Sequence, residues 1–68
     1  MGNYRIETVS CIYRFNDRTL ESIKRMCSDL REIGVAFICY DDASNIVDQL
    51  GEGQVKRAAW TERICTAS

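Results

Sequence analysis

Residues 17–34 read DRTLESIKRMCSDLREIG, and this stretch limits how the rest of the chain can fold. Its apolar side chains recur at steps of three and four residues, which places them on one face of a helix. Asn16 or Asp17 can cap the start of that helix, and Gly34 stands where a glycine often ends one. We therefore predict an amphipathic helix whose apolar stripe is formed by Leu20, Ile23, Met26, Cys27, Leu30 and Ile33.

The segments on both sides of this helix have strand patterns. Residues 35–40, VAFICY, are apolar on both faces, which is typical of a strand covered on both sides. Residues 3–15 are rich in β-branched and aromatic types and show a two-residue alternation. Tyr4 and Ile6 fall in the opposite phase to the later residues, so either a bulge lies near Thr8 or the strand proper begins near Glu7. Strand, helix and strand in this order predict two parallel strands joined by a right-handed crossover.

The second half of the chain has a weaker pattern. Residues 43–50 favour a short helix, with Ser44 or Asp42 as its cap and Gly51 as its end. The alternative is a hairpin around Gly51-Glu52-Gly53, with NIVDQL and QVKRAAW as its arms. In the favoured arrangement residues 54–65 form the last strand.

These elements predict one small α+β domain over residues 1–68. Its order is β-α-β-(short α)-β, an α/β two-layer sandwich of about three strands backed by one long helix. Such a sheet has two edges, and exposed edges invite pairing with another chain. The apolar strand at 35–40 also needs a cover on its second face, which the second helix, another copy or a partner would supply.

The composition is that of a globular protein, with 46% hydrophobic and 28% charged residues in a chain of 68. The first ten residues contain no apolar run of the length found in a secretory signal. No segment approaches the roughly 20 apolar residues of a membrane helix. The sequence alone therefore predicts a soluble, cytoplasmic protein.

The four cysteines are far apart in the sequence, and the chain has no histidine. Structural zinc sites usually have ligands in closely spaced pairs, so this spacing does not favour zinc. Without a secretory signal we also expect no disulfide bond. We expect thiols packed as small apolar side chains, at Cys11, Cys27 and Cys39 in particular.

Two adjacent aspartates follow the apolar strand, and they allow two interpretations. If the two strands were parallel neighbours, Asp17, Asp41 and Asp42 would share one rim of the sheet, and oxygen ligands of this kind suit Mg²⁺. The same residue types at the same places also cap helices and stabilise turns. Residues 33–55 contain no Lys or Arg to support a reaction at this rim, so we favour capping and expect no metal, no cofactor and no catalytic residue.

The distribution of charge indicates a binding surface. From residue 32 to residue 52 the chain has five acidic residues and no basic one. An acidic lobe beside an apolar sheet fits a basic surface on a protein partner. We therefore predict a small non-catalytic module that regulates or inhibits a larger macromolecule, as phage-encoded inhibitors of host enzymes or defence complexes do. The predicted contacts are Tyr40, Asp41, Asp42, Asp48, Glu52 and Trp60.

Three other functions stay open. The chain could be a structural subunit that forms a homodimer or larger homo-oligomer through its strand edges. It could be a sheet that binds nucleic acid, although its formal charge of −1 disfavours this. The residues for base stacking and phosphate contact would be Tyr4, Tyr13, Tyr40 and Trp60 with Arg5, Arg14, Lys56, Arg57 and Arg63. A magnesium-dependent enzyme using the aspartate rim is the least favoured.

Overall fold

The structure is a computed structural model that describes residues 2–58 and 65–67. Its elements, in chain order, are β1 (Gly2–Thr8), β2 (Cys11–Arg18), α1 (Leu20–Ile33), β3 (Phe37–Tyr40), β4 (Ile46–Leu50), α2 (Glu52–Ala58) and β5 (Cys65–Ala67). The strands form one sheet in the order β4-β3-β1-β2-β5. The first four are antiparallel to their neighbours, and β5 pairs parallel with β2. The fold is a small α+β domain, as predicted, but its strand number and order differ from the prediction.

The first predicted strand is a hairpin of two strands, and the phase change in its sequence marks the turn rather than a bulge. Tyr4 pairs with Phe15 and Ile6 with Tyr13, which leaves Val9 and Ser10 as a two-residue loop. These residues are not the Asn-Gly or Asp-Gly pairs that usually indicate such a loop. The Thr8 side chain closes the turn instead. Its hydroxyl accepts the N–H of Cys11 at 3.0 Å and donates to the Cys11 carbonyl at 2.8 Å.

The predicted helix is confirmed as α1. Its N-cap is Thr19, whose hydroxyl accepts the Ser22 N–H at 3.2 Å, and not Asn16 or Asp17. Asp17 cannot take that role because it belongs to β2 and has a left-handed φ of 58°. Gly34 ends the helix with φ 77°, a left-handed conformation that glycine adopts without steric cost.

The predicted short helix at residues 43–50 is a strand, β4, which pairs with β3. Ser44 has a φ of 65°, whereas the residue that caps a helix has an extended backbone. The β-branched residues Ile46 and Val47 suit the strand that follows. The alternative prediction, a hairpin around Gly51-Glu52-Gly53, was right that these residues form a strand. It was wrong about the partner strand, which is β3. The predicted strand at residues 54–65 is likewise corrected, because Glu52–Ala58 form the helix α2.

The inner core lies between the sheet and α1. Ile6, Phe37 and Cys39 pack there against Ile23 and Cys27 of the helix. All five of these side chains are at most 2% exposed.

The second face of β3 is covered by α2, so the sheet has a helix on each side rather than the predicted two layers. Ile38 points away from α1 because successive strand residues alternate between faces, yet it is fully buried. Helix α2 contacts β3, and its Val55 is also fully buried. The apolar strand thus has the cover that its sequence required. Within residues 2–58 and 65–67, no helix is long and apolar enough to cross a membrane.

Candidate functional site

Asp41 stabilises the turn that follows β3. Its Oδ1 atom accepts the backbone N–H of Ala43 at 2.9 Å and that of Asn45 at 2.8 Å. Side-chain acceptors of this kind hold a turn in place of backbone bonds. The preferred interpretation of the aspartate pair, as a strand end and cap, therefore matches the contacts of Asp41, while Asp42 is exposed in the same turn.

The aspartate rim is not assembled as the magnesium hypothesis requires. Strands β2 and β3 run in the same direction, but β1 lies between them. Neighbouring strands are about 4.8 Å apart, so Asp17 and Asp41 start from strands roughly 10 Å apart. In the part of the chain that the structure describes, no three His, Cys, Asp or Glu residues are placed to hold a metal ion.

Asp48 forms an ion pair with Arg31 of α1. Arg31 donates to both of its carboxylate oxygens, at 2.8 and 3.3 Å, and also to the backbone carbonyl of Gln49 at 3.0 Å. The hydrogen bond from Arg31 holds the pKa of Asp48 below its ordinary value. Two other predicted contacts also have partners: Glu52 forms an ion pair with Lys56 at 3.4 Å, and the guanidinium of Arg5 lies 4.4 Å from the centre of the Tyr40 ring.

The predicted acidic lobe is therefore largely occupied by contacts within the chain. Of its acidic members named as contacts, Asp42 is the one without an ion pair or side-chain hydrogen bond among the described residues. Trp60, the remaining predicted contact, lies outside the described residues. Sequence reasoning missed these intramolecular partners because Arg31 and Asp48 are distant in sequence and meet only when α1 packs beside β4.

An apolar groove lies between α1 and the β1–β2 hairpin. It has a volume of about 580 Å³. Ile6, Tyr13 and Phe15 form its floor, while Met26, Leu30 and Ile33 form its helical wall. Asp29 is the charged residue that lines it. The helix stripe predicted these wall residues. The structure adds that α1 contacts mainly β3 and β4, which leaves the side toward the hairpin open.

A second, polar cleft lies near the ends of β1, β2 and β3 and has a volume of about 270 Å³. Arg5 and Arg14 face each other there across β1 and β2. The side chains that complete its lining are Asn3, Tyr4, Asn16, Asp41, Asp42 and Ser44. The nucleic-acid hypothesis named both arginines, but their pairing across β1 and β2 was not predicted because the hairpin was not.

The cysteines divide into two groups. Cys27 and Cys39 are free, fully buried and hydrogen-bonded to each other across the core. Burial raises the pKa of Cys39 to about 12 and raises that of Cys27 as well, which makes both poor nucleophiles. Cys11, in contrast, is disulfide-bonded, so the expectation of a core thiol at this position is wrong. The spacing of the cysteines in the sequence gave no sign of this bond.

Comparisons with protein-family models, curated proteins and solved structures find no match to this chain.

Proposed function

We propose that this chain is a non-catalytic protein-binding module that regulates or inhibits a larger partner. The observation that carries the proposal is the apolar groove between α1 and the β1–β2 hairpin. Its wall ends at Ile33, which is 72% exposed at the last position of the helix. Contiguous exposed apolar surface of this kind is a feature of interaction sites.

The occupant that suits this groove is an apolar segment of a partner protein that carries a basic side chain. Asp29 lies in the groove, and Glu32 follows three residues later on the same helix. Neither takes part in the ion pairs that the described residues form, which are Arg5–Glu7, Arg31–Asp48 and Lys56–Glu52. A Lys or Arg of the partner would find the carboxylate of Asp29 beside an apolar surface, with that of Glu32 nearby on the same helix.

The acidic residues proposed to contact the partner differ from those predicted from the sequence. The contacts expected at Asp41, Asp48 and Glu52 are replaced by Asp29 and Glu32, because the first three already have partners. Asp42 stays a proposed secondary contact. A role as a phage-type inhibitor remains one form of the proposal and is supported only by size and charge. The predicted cytoplasmic location also stays a proposal, and the disulfide at Cys11 weighs against it because such bonds are rare in the cytosol.

The test is a pull-down from a lysate of the source cell with two matched isoleucine variants. Ile33→Gln removes apolar surface at the groove, and Ile46→Gln does the same at a second exposed isoleucine on β4, which is 48% exposed. We expect a stoichiometric protein, resistant to nuclease, that the wild type and Ile46→Gln retain and Ile33→Gln loses.

A charge variant completes the test. Asp29→Lys should weaken the same interaction by about tenfold or more, while circular dichroism shows an unchanged fold. Equal capture by all the variants would contradict the proposal. Capture of the tagged chain alone, together with a dimer in light scattering, would favour the self-assembly alternative instead.

A further inference from the structure

We propose that the polar cleft binds one oxyanion, a carboxylate or phosphate group, between the guanidinium groups of Arg5 and Arg14. This inference is independent of the apolar groove. Arg5 and Arg14 lie on the sheet face opposite α1, because they alternate along their strands with Ile6 and Tyr13, which face α1.

The first argument is the register of the two arginines. Arg5 and Arg14 are paired directly across β1 and β2. Residues paired in this way have Cα atoms about 4.5–5.5 Å apart, and like charges at such positions destabilise a sheet. An anion bound between the two side chains would turn this repulsion into two attractions.

The second argument is that Arg5 is held in place. Its Nε atom lies 2.9 Å from Glu7 Oε2, and its guanidinium packs over the ring of Tyr40. These contacts restrain the side chain before any ligand arrives, which reduces the entropy lost on binding. Arg14 is exposed and takes part in none of the three ion pairs formed by the described residues.

The third argument concerns the remaining polar groups of the cleft. Asn3, Asn16 and Ser44 line it beside the arginines and supply neutral hydrogen-bond donors. Guanidinium groups bind carboxylate and phosphate oxygens in a planar, two-pronged geometry, so this set of donors suits such an oxyanion.

Asp41 and Asp42 line the same cleft and limit what can enter it. Their carboxylates would repel the successive phosphates of a nucleic acid, whereas a single anionic group can contact the arginines alone. The cleft therefore favours one oxyanion over the polyanion of the nucleic-acid hypothesis.

The experiment measures thermal unfolding against concentration of inorganic phosphate or sodium acetate, with chloride keeping the ionic strength constant. We expect a saturable rise in the unfolding temperature of the wild type with at least one of the two anions. A response to phosphate alone assigns the site to phosphate groups, and a response to acetate assigns it to carboxylates as well. Arg14→Gln should weaken the apparent affinity by about tenfold or more, and Arg25→Gln on α1 should not.

Two further readouts separate a binding role from a structural one. Without added oxyanion, Arg14→Gln should unfold at the same temperature as the wild type or higher, because the substitution removes a like-charge pair. A lower unfolding temperature for this variant without oxyanion, or no saturable response of the wild type, would overturn the proposal. So would an oligothymidylate that binds the wild type more tightly than phosphate does.

Discussion

Arg31 and Asp48 join α1 to β4 through two hydrogen bonds, and together they cover the outer edge of that strand. Gln49, the next residue, donates its N–H to Asp48 Oδ1 at 2.8 Å and accepts from Arg31 at its carbonyl. Both backbone groups of Gln49 are thus bonded to side chains at an edge where a new strand would otherwise attach. Covering an edge in this way protects a sheet against unwanted pairing.

Replacing Asp48 by Asn should lower stability at neutral pH, and the loss should disappear in acid. The pKa of Asp48 is lowered in the folded state, so its carboxylate contributes stability above the ordinary value of 3.8. That contribution is lost as the pH falls from this value through the lower folded pKa. Urea unfolding of both proteins between pH 2 and pH 7 measures the difference, and a constant difference over that range would contradict the expectation.

The same contact predicts the behaviour of the β4 edge. Arg31→Ala frees the carbonyl of Gln49 and removes the partner of Asp48, so this variant should self-associate more than the wild type. Sedimentation velocity at matched concentrations measures this, with Arg25→Ala on the same helix as control. A variant that stays as monomeric as the wild type would show that the edge needs no such cover.

Two glycines offer a matched test of backbone conformation. Gly34→Ala should cost about 1 kcal/mol, because Gly34 has a φ of 77° and no neighbouring atom within 4 Å to cause a clash. Gly53→Ala in α2 should instead stabilise by about 0.4–1 kcal/mol, since this position also has open space and carries no left-handed φ. Chemical unfolding should show changes of opposite sign in the free energy of unfolding of the two variants. Equal changes would contradict the assignment of Gly34 as the end of α1.

Reduction of the disulfide at Cys11 should destabilise the folded chain by about 2–5 kcal/mol. Peptide mapping before and after reduction should show the peptide that contains Cys11 released from a cross-linked pair. Thermal unfolding with and without a phosphine reductant measures the effect. An unchanged unfolding temperature on full reduction would show that the bond contributes nothing to stability.

The two core thiols should react slowly with thiol reagents. Cys27 and Cys39 are fully buried with raised pKa values, so a thiol reagent at pH 8 should modify them only as fast as the chain unfolds. Cys39→Ser should destabilise by about 1–3 kcal/mol because it places a hydroxyl in an apolar site. Rapid labelling of the native protein, followed by mass spectrometry, would contradict this placement.

The sequence predicted the elements whose signals are local. The stripe from Ile23 to Leu30 and the glycine at position 34 indicated α1, and the apolar run before Tyr40 indicated β3. The hairpin was hidden because its loop, Val9-Ser10, contains none of the usual turn residues and is closed by the side chain of Thr8. In β4, pairing with β3 prevailed over the short-range helical pattern.

The candidate site was harder to predict because its residues depend on contacts between distant segments. The sequence showed no partner for Asp41 or Asp48. In the structure Asp41 accepts a hydrogen bond within its own turn, and Asp48 pairs with Arg31 of α1. The groove and the cleft arise from the order of the strands. That order places β1 in the middle of the sheet although it comes first in the chain.

The parallel pairing of β5 with β2 has a consequence for the order of folding. This pairing joins residues from nearly opposite ends of the described chain, so it has the largest loop-closure cost among the strand pairs. The hairpin forms from residues close in sequence, and the pairing of β1 with β3 closes a shorter loop than the pairing of β5 with β2 does. We therefore expect β5 to pair after the other strands have formed.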